Sequence, residues 1–232
     1  MRKLIHCLAA CGALAGAAPA AAEQVPVVVE LFTSQGCSSC PPADALLAEL
    51  GQRDDVIALA LHVDYWDYIG WKDVFAQPKF TKRQKGYAVA GGWRMIYTPQ
   101  MVINGTDDVV GSRPMKLAEA IQRHMTQPVK VDLDISRNGD VLTIRAENLG
   151  QAEPYEVHVV RYEEEESVRI LRGENAGHTL TYSHIADDWT VVDRWNGRGT
   201  YEKGVKVQGD DPVVVLLQKP RHGAIVAAAR LR

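Results

Sequence analysis

The sequence predicts an α/β domain of element order β-α-β-α-β-β-α over residues 23–127, followed by an all-β sandwich over residues 128–232. Three observations lead there. A β-branched apolar run precedes a Cys-x-x-Cys pair and a helical pattern, a second apolar strand follows that helix, and the hydrophobic period changes to two after Pro128.

The chain of 232 residues opens on Arg2 and Lys3, an apolar alanine-rich run from Leu4 to Ala18, and small residues up to Ala22. That pattern is a secretory signal peptide over residues 1–22, cleaved near Ala22, and it predicts a periplasmic or secreted protein. A rival reading takes Leu8-Ala9-Ala10-Cys11 as a lipoprotein cleavage site. No later stretch reaches the roughly 18 uninterrupted apolar residues of a membrane span. The formal net charge is −3, and losing Arg2 and Lys3 makes it more acidic. A nucleic-acid partner is not expected, since such domains carry a basic stripe and only the short Lys79–Lys85 cluster is basic here.

Val27 to Phe32 has the composition of a buried strand, and Thr33 to Gly36 supply a turn. Pro41 and Pro42 suit a first helical turn, where a missing N–H costs nothing, and Ala43, Leu46, Leu47 and Leu50 repeat at helical spacing until Gly51. Val56 to Val63 is the second strand, parallel to the first through a right-handed crossover. A helix is expected from Pro78 to Val89, ended by Gly91-Gly92. A short strand from Met101 to Ile103 turns through Asn104-Gly105 into Val109-Val110, and Pro114 opens a last helix.

Beyond Pro128, Val129, Val131, Leu133 and Ile135 alternate with polar residues, and Asn138-Gly139 turns into Val141, Thr143 and Arg145. Strands at 155–162, 167–172, 178–185, 212–218 and 224–230 complete an antiparallel sandwich of immunoglobulin-like size, with the acidic run Glu163–Glu166 as a solvated hairpin tip.

Cys7 and Cys11 lie in the signal peptide, so Cys37 and Cys40 are the cysteines left after cleavage. They work with each other or with a metal. At a helix start the partly charged N–H groups favour a thiolate, which makes Cys37 an exposed attacking nucleophile and Cys40 the resolving thiol one turn inside.

With the strand before it, the helix after it, and Tyr97-Thr98-Pro99-Gln100 ahead of a later strand, the segment 25–127 resembles the thioredoxin and glutaredoxin superfamily. The run Thr98-Pro99-Gln100-Met101-Val102-Ile103-Asn104-Gly105 is similar to the corresponding glutaredoxin segment. The resemblance implies that Pro99 is cis, that it blocks metal capture at the dithiol, and that the backbone beside Thr98 pairs with an extended substrate chain. The whole chain resembles a bacterial secreted family of unknown function through residues 30–42 and Gly173-Glu174-Asn175-Ala176-Gly177-His178-Thr179-Leu180. The latter segment reads as a turn entering a strand.

Glu30 falls where the resemblance places a buried acid that moves a proton for the inner cysteine; otherwise it faces solvent or pairs with a cation. His62 and Asp64 end the second strand and, with the cysteines, form a set suited to copper or zinc, or else are structural. Tyr65, Trp66, Tyr68, Trp71, Trp93 and Tyr97 either line a groove for extended peptides, with Trp66 and Trp93 as substrate contacts, or form a private core.

The resulting expectation is a thiol–disulfide oxidoreductase acting on another exported protein together with a redox partner, with Cys37, Cys40, Pro99 and Glu30 as site residues and no organic cofactor. The alternative is a periplasmic binding protein in which the cysteines form a structural disulfide or a copper or zinc site.

Overall fold

The computed structural model describes residues 25–232, so the signal peptide reading lies outside the described residues. The first half contains β1 (Val27–Thr33), α1 (Pro41–Gly51), β2 (Val56–His62), α2 (Pro78–Gly91), β3 (Gln100–Ile103), β4 (Asp107–Val110) and α3 (Pro114–Met125). Strands follow: β5 (Val131–Asn138), β6 (Val141–Asn148), β7 (Tyr155–Arg169), β8 (Thr179–Trp195), β9 (Thr200–Lys206), β10 (Val213–Gln218) and β11 (Ile225–Leu231). No helix of the described residues is long and apolar enough to cross a membrane.

The expected α/β domain followed by an immunoglobulin-like sandwich is not what the chain builds. One mixed eight-stranded sheet, ordered β11-β10-β7-β8-β2-β1-β3-β4, draws strands from both halves, and β5-β6-β9 form a separate three-stranded sheet. The joint is β2 against β8, parallel at Ala60 and Ile185.

Burial explains this outcome. Val213 to Gln218 of β10 is buried at every position, whereas a strand with one solvated face alternates. Val214 and Leu216 enter the core that also holds Phe80 and Tyr87 of α2. Val213, Val215 and Leu217 face the other way, into a core with Val131, Leu142 and Ile144 of the small sheet. The same parity runs through β1 and β2: Val28, Phe32, Ile57, Leu59 and Leu61 meet α2, while Val29, Leu31, Ala58 and Ala60 meet Ala43 and Leu47 of α1 and Leu117 of α3. Each strand can bury both faces only because the helices and the small sheet cover the large sheet from both sides.

The acidic run is also corrected. Glu163 to Glu166 is no hairpin tip but continues β7, paired across to β8 with Glu165 opposite Ser183 and Glu166 opposite Tyr182. The turn comes after Arg169, and His184, with φ of 56°, bends β8. The far part of this long hairpin therefore lies beside α1: Tyr182 packs on His62, and a side chain on Gly51 would collide with His184.

Candidate functional site

Cys37 and Cys40 form a disulfide with Cα atoms 5.4 Å apart. Cys40 caps α1, and Pro41 and Pro42 occupy its first helical positions. The Cys40 carbonyl accepts from Ala43 N at 2.8 Å and Asp44 N at 3.1 Å, so the helix starts without needing the two N–H groups that proline lacks.

The expectation of an exposed Cys37 fails: it is 1% exposed and Cys40 0%, while Ser38 and Ser39 between them are open to solvent. Cover comes from the hairpin end between β7 and β8. Asn175 Nδ2 donates to Gln35 O at 2.9 Å and to Cys37 O at 3.1 Å. Ser38 N donates to Glu174 Oε2 at 3.2 Å, and hydrogen bonding from Ser38 holds that carboxyl below the usual range. The segment Gly173–Leu180 does enter a strand as a turn, and it also closes over the dithiol loop.

The second wall is the segment between β2 and α2. Gln35 Oε1 accepts from Trp71 Nε1 at 2.8 Å, and Gln35 N donates to Asp73 Oδ2 at 2.8 Å. A side chain on Gly36 would press on Trp66 and Ile69 at 3.1 Å, which explains the glycine. Trp66 Nε1 donates to Thr98 Oγ1 at 2.7 Å. Trp66 and Thr98 thus stand together beside the dithiol loop. Trp93 does not join them: it packs near Tyr87 at the end of α2, ring centroids 6.5 Å apart.

The Thr98–Pro99 peptide is cis. Gly111 N donates to Pro99 O at 2.9 Å, and a Cβ on Gly111 would lie 2.8 Å from Ala43 Cβ and 3.0 Å from Pro99 Cβ. Glycine thereby lets Pro99 approach the first turn of the helix that begins at Cys40.

Glu30 lies on the other face of the sheet from the dithiol. Even-numbered positions of β1 point to α2, and there Arg83 donates to Glu30 through Nε at 2.9 Å and Nη2 at 2.7 Å. Tyr87 OH adds a bond of 2.9 Å, and the guanidinium stacks on Trp189, 3.9 Å from the ring centroid. Glu30 is a buried core residue ion-paired to Arg83 on the face that α2 covers.

The acid behind the dithiol is Asp44, four residues after Cys40 and therefore on the same helix face. Burial pushes its carboxyl from 3.8 up to about 7, against the pull of His62 and the Thr33 hydroxyl and with a push from Asp73. His62 Nδ1 lies 2.7 Å from Asp73 Oδ2, and both side chains are fully buried. Asp44 Oδ1, Thr33 Oγ1 and His62 Nε2 are buried without hydrogen-bond partners among the described residues. Sequence reasoning missed Asp44, Asp73, Glu174 and Asn175. For Asp44 a signal exists: it is a lone acid between Ala43 and Leu47, both of which face the core.

Asp64 accepts from the Thr81 hydroxyl at 2.5 Å and His62 is engaged by Asp73, so the expected set of Cys37, Cys40, His62 and Asp64 is not gathered. Among the described residues no group of three or more His, Cys, Asp and Glu side chains could hold a metal ion.

A family described as a protein of unknown function, DUF1223, matches residues 28–218. No curated protein matches the chain. Among solved structures, an X-ray structure of a protein from Agrobacterium tumefaciens is similar at 33% identity and TM-score 0.78, covering 91% of this chain and 96% of that one. HBP35 of Porphyromonas gingivalis aligns at 14% identity and TM-score 0.62, covering 90% of this chain and 75% of that one, a likeness of fold.

Proposed function

Because the chain belongs to the DUF1223 family of proteins of unknown function, we propose a function from the site itself: an exported thiol–disulfide oxidoreductase that works through Cys37 and Cys40 on another exported protein. The observation that carries this reading is the disulfide at the start of α1 with a buried, near-neutral acid one turn behind it.

A substrate thiolate attacks Cys37 Sγ, a substrate–Cys37 disulfide forms, and the Cys37–Cys40 bond breaks with its electron pair going to Cys40 Sγ. Cys40 is fully buried, so its new thiolate is best stabilised by taking a proton from the Asp44 carboxyl, which holds one near neutral pH. A second substrate thiolate attacks the substrate sulfur of the mixed disulfide, and Cys37 leaves with the electron pair. The substrate departs as a disulfide and the protein as a dithiol, which a redox partner carrying a disulfide returns to the oxidised state by the same steps in reverse. Run backwards, the site reduces a substrate disulfide. In this reading the partly exposed Trp66–Thr98 pair borders the bound substrate, with Pro99 buried behind it.

A second reading, a binding protein with a structural disulfide, is favoured by one observation, the burial of Cys37. Titration in glutathione buffers, counting free Cys37 and Cys40 thiols by mass after alkylation, separates the two. A two-electron transition between roughly −120 and −270 mV supports exchange, and a pair still oxidised below about −300 mV establishes the structural reading.

A further inference from the structure

The segment over the disulfide presents to it the groups that a polypeptide backbone would present. The Asn175 amide donates to the Gln35 and Cys37 carbonyls, as a peptide N–H would. The Glu174 carboxylate accepts from Ser38 N, as a peptide carbonyl would. We infer that Gly173–Gly177 is an internal stand-in for the substrate, a latch that occupies the backbone-recognition side of the disulfide and lifts when an extended, thiol-bearing polypeptide replaces it. The inference rests on the redox reading and names the class of substrate for that site.

The segment is built to move as a piece. Ala176 N donates to Gly173 O at 3.2 Å within the segment, and Gly177 N to Ile170 O at 2.9 Å and His178 N to Asn175 O at 3.2 Å tie its far end to the hairpin behind it. Gly173, with φ of 81°, and Gly177, with φ of 87°, bound it, two backbone positions free of side-chain strain. Ile170, fully buried, anchors the hairpin behind it. What ties the latch to the dithiol loop is three hydrogen bonds, two donated by Asn175 Nδ2 and one accepted by Glu174 Oε2, beside Ile69 and Trp71, which a Cβ on Gly173 would touch. The latch releases two acceptors, Gln35 O and Cys37 O, and one donor, Ser38 N, which points away from Cys37 O across the same planar peptide. An incoming strand can take the two carbonyls, and the N–H of the exposed Ser38 returns to water.

Asn175→Asp tests this with minimal change of shape, since a carboxylate placed against two carbonyl oxygens repels them. Glu174→Ala removes the other tie, and Glu174→Gln keeps an acceptor for Ser38 N. Reduction of Cys37–Cys40 is followed by alkylation and mass, with dithiothreitol and with an unstructured cysteine-containing peptide as reductants, alongside the thermal midpoint of each variant. The expected result is peptide-driven reduction at least about tenfold faster in Asn175→Asp and Glu174→Ala, the factor set by one hydrogen bond to a charged group. Dithiothreitol should gain less, and Glu174→Gln should behave as wild type. Folded variants reduced at the wild-type rate overturn the latch, as does an equal gain for both reductants, which marks a simple shield. The redox reading falls separately: a wild-type potential below about −300 mV removes it whatever the variants do.

Discussion

Asp44 on α1 and His62 on β2 are coupled electrostatically, and the imidazole offsets only part of what burial does to the carboxyl. The two belong to elements fixed by different signals, the proline-started helix and the apolar strand, yet together with Asp73 they make a polar pocket in an otherwise apolar face of the sheet.

Stability should depend on pH through Asp44. With a folded pKa of about 7 against 3.8 unfolded, the native state holds the Asp44 proton over a window in which the unfolded chain has lost it. Stability attributable to Asp44 is therefore full below about pH 4 and declines as pH rises to about 7. In Asp44→Asn, urea unfolding measured from pH 4 to 8 should lack this component of the decline. The same variant should lose the inflection near pH 7 in the rate of disulfide exchange, which a purely structural role would leave in place.

A histidine gives the opposite slope. His158 Nδ1 accepts from Trp189 Nε1 at 2.9 Å, and burial, with Arg83 and His222 adding to it, lowers its pKa from 6.5 to about 3. The unfolded chain binds this proton first, so stability is complete above about pH 6.5 and falls as pH drops toward 3. His158→Gln should flatten that acid limb in the same unfolding series.

Removing one partner of the Glu30–Arg83 pair leaves a charge at 0% or 7% side-chain exposure. Arg83→Met should cost about 3–5 kcal/mol in denaturant unfolding, and the double variant Glu30→Gln/Arg83→Met should recover part of it. The disulfide potential of the double variant should equal that of wild type, because the pair lies on the face away from the dithiol.

For the exchange itself, Cys37→Ser should reduce disulfide turnover to background, and Cys40→Ser should accumulate a mixed disulfide through Cys37 that mass spectrometry detects. Turnover by Cys37→Ser at the wild-type rate would sink the proposed function.

Local features were legible and distant ones were not. The strand, dithiol, proline-started helix and Asn104-Gly105 turn are encoded within a few residues, and the turn has both residues at positive φ, 43° and 70°, as its composition demands. The cover over Cys37 comes from residues 136 to 140 positions away, with no short-range signature. For Glu30 the cation-paired alternative is the one the structure shows, and parity decides it: one residue of register sends a strand side chain to the opposite face. The β-sandwich reading failed because continuous apolar runs such as Val213 to Leu217 report burial on both faces without saying what does the burying.

The parallel pairing of β2 with β8 sets the order in which this molecule can be assembled. A nascent chain released only as far as Pro128 would carry a central strand with a bare edge, an open template for pairing with another chain. That edge is sealed by residues about 125 positions later in the sequence, so the early half must wait, protected or unfinished, for the late half to arrive. A cut at residue 128 should therefore yield two fragments that aggregate alone and regain a cooperative unfolding transition only when mixed.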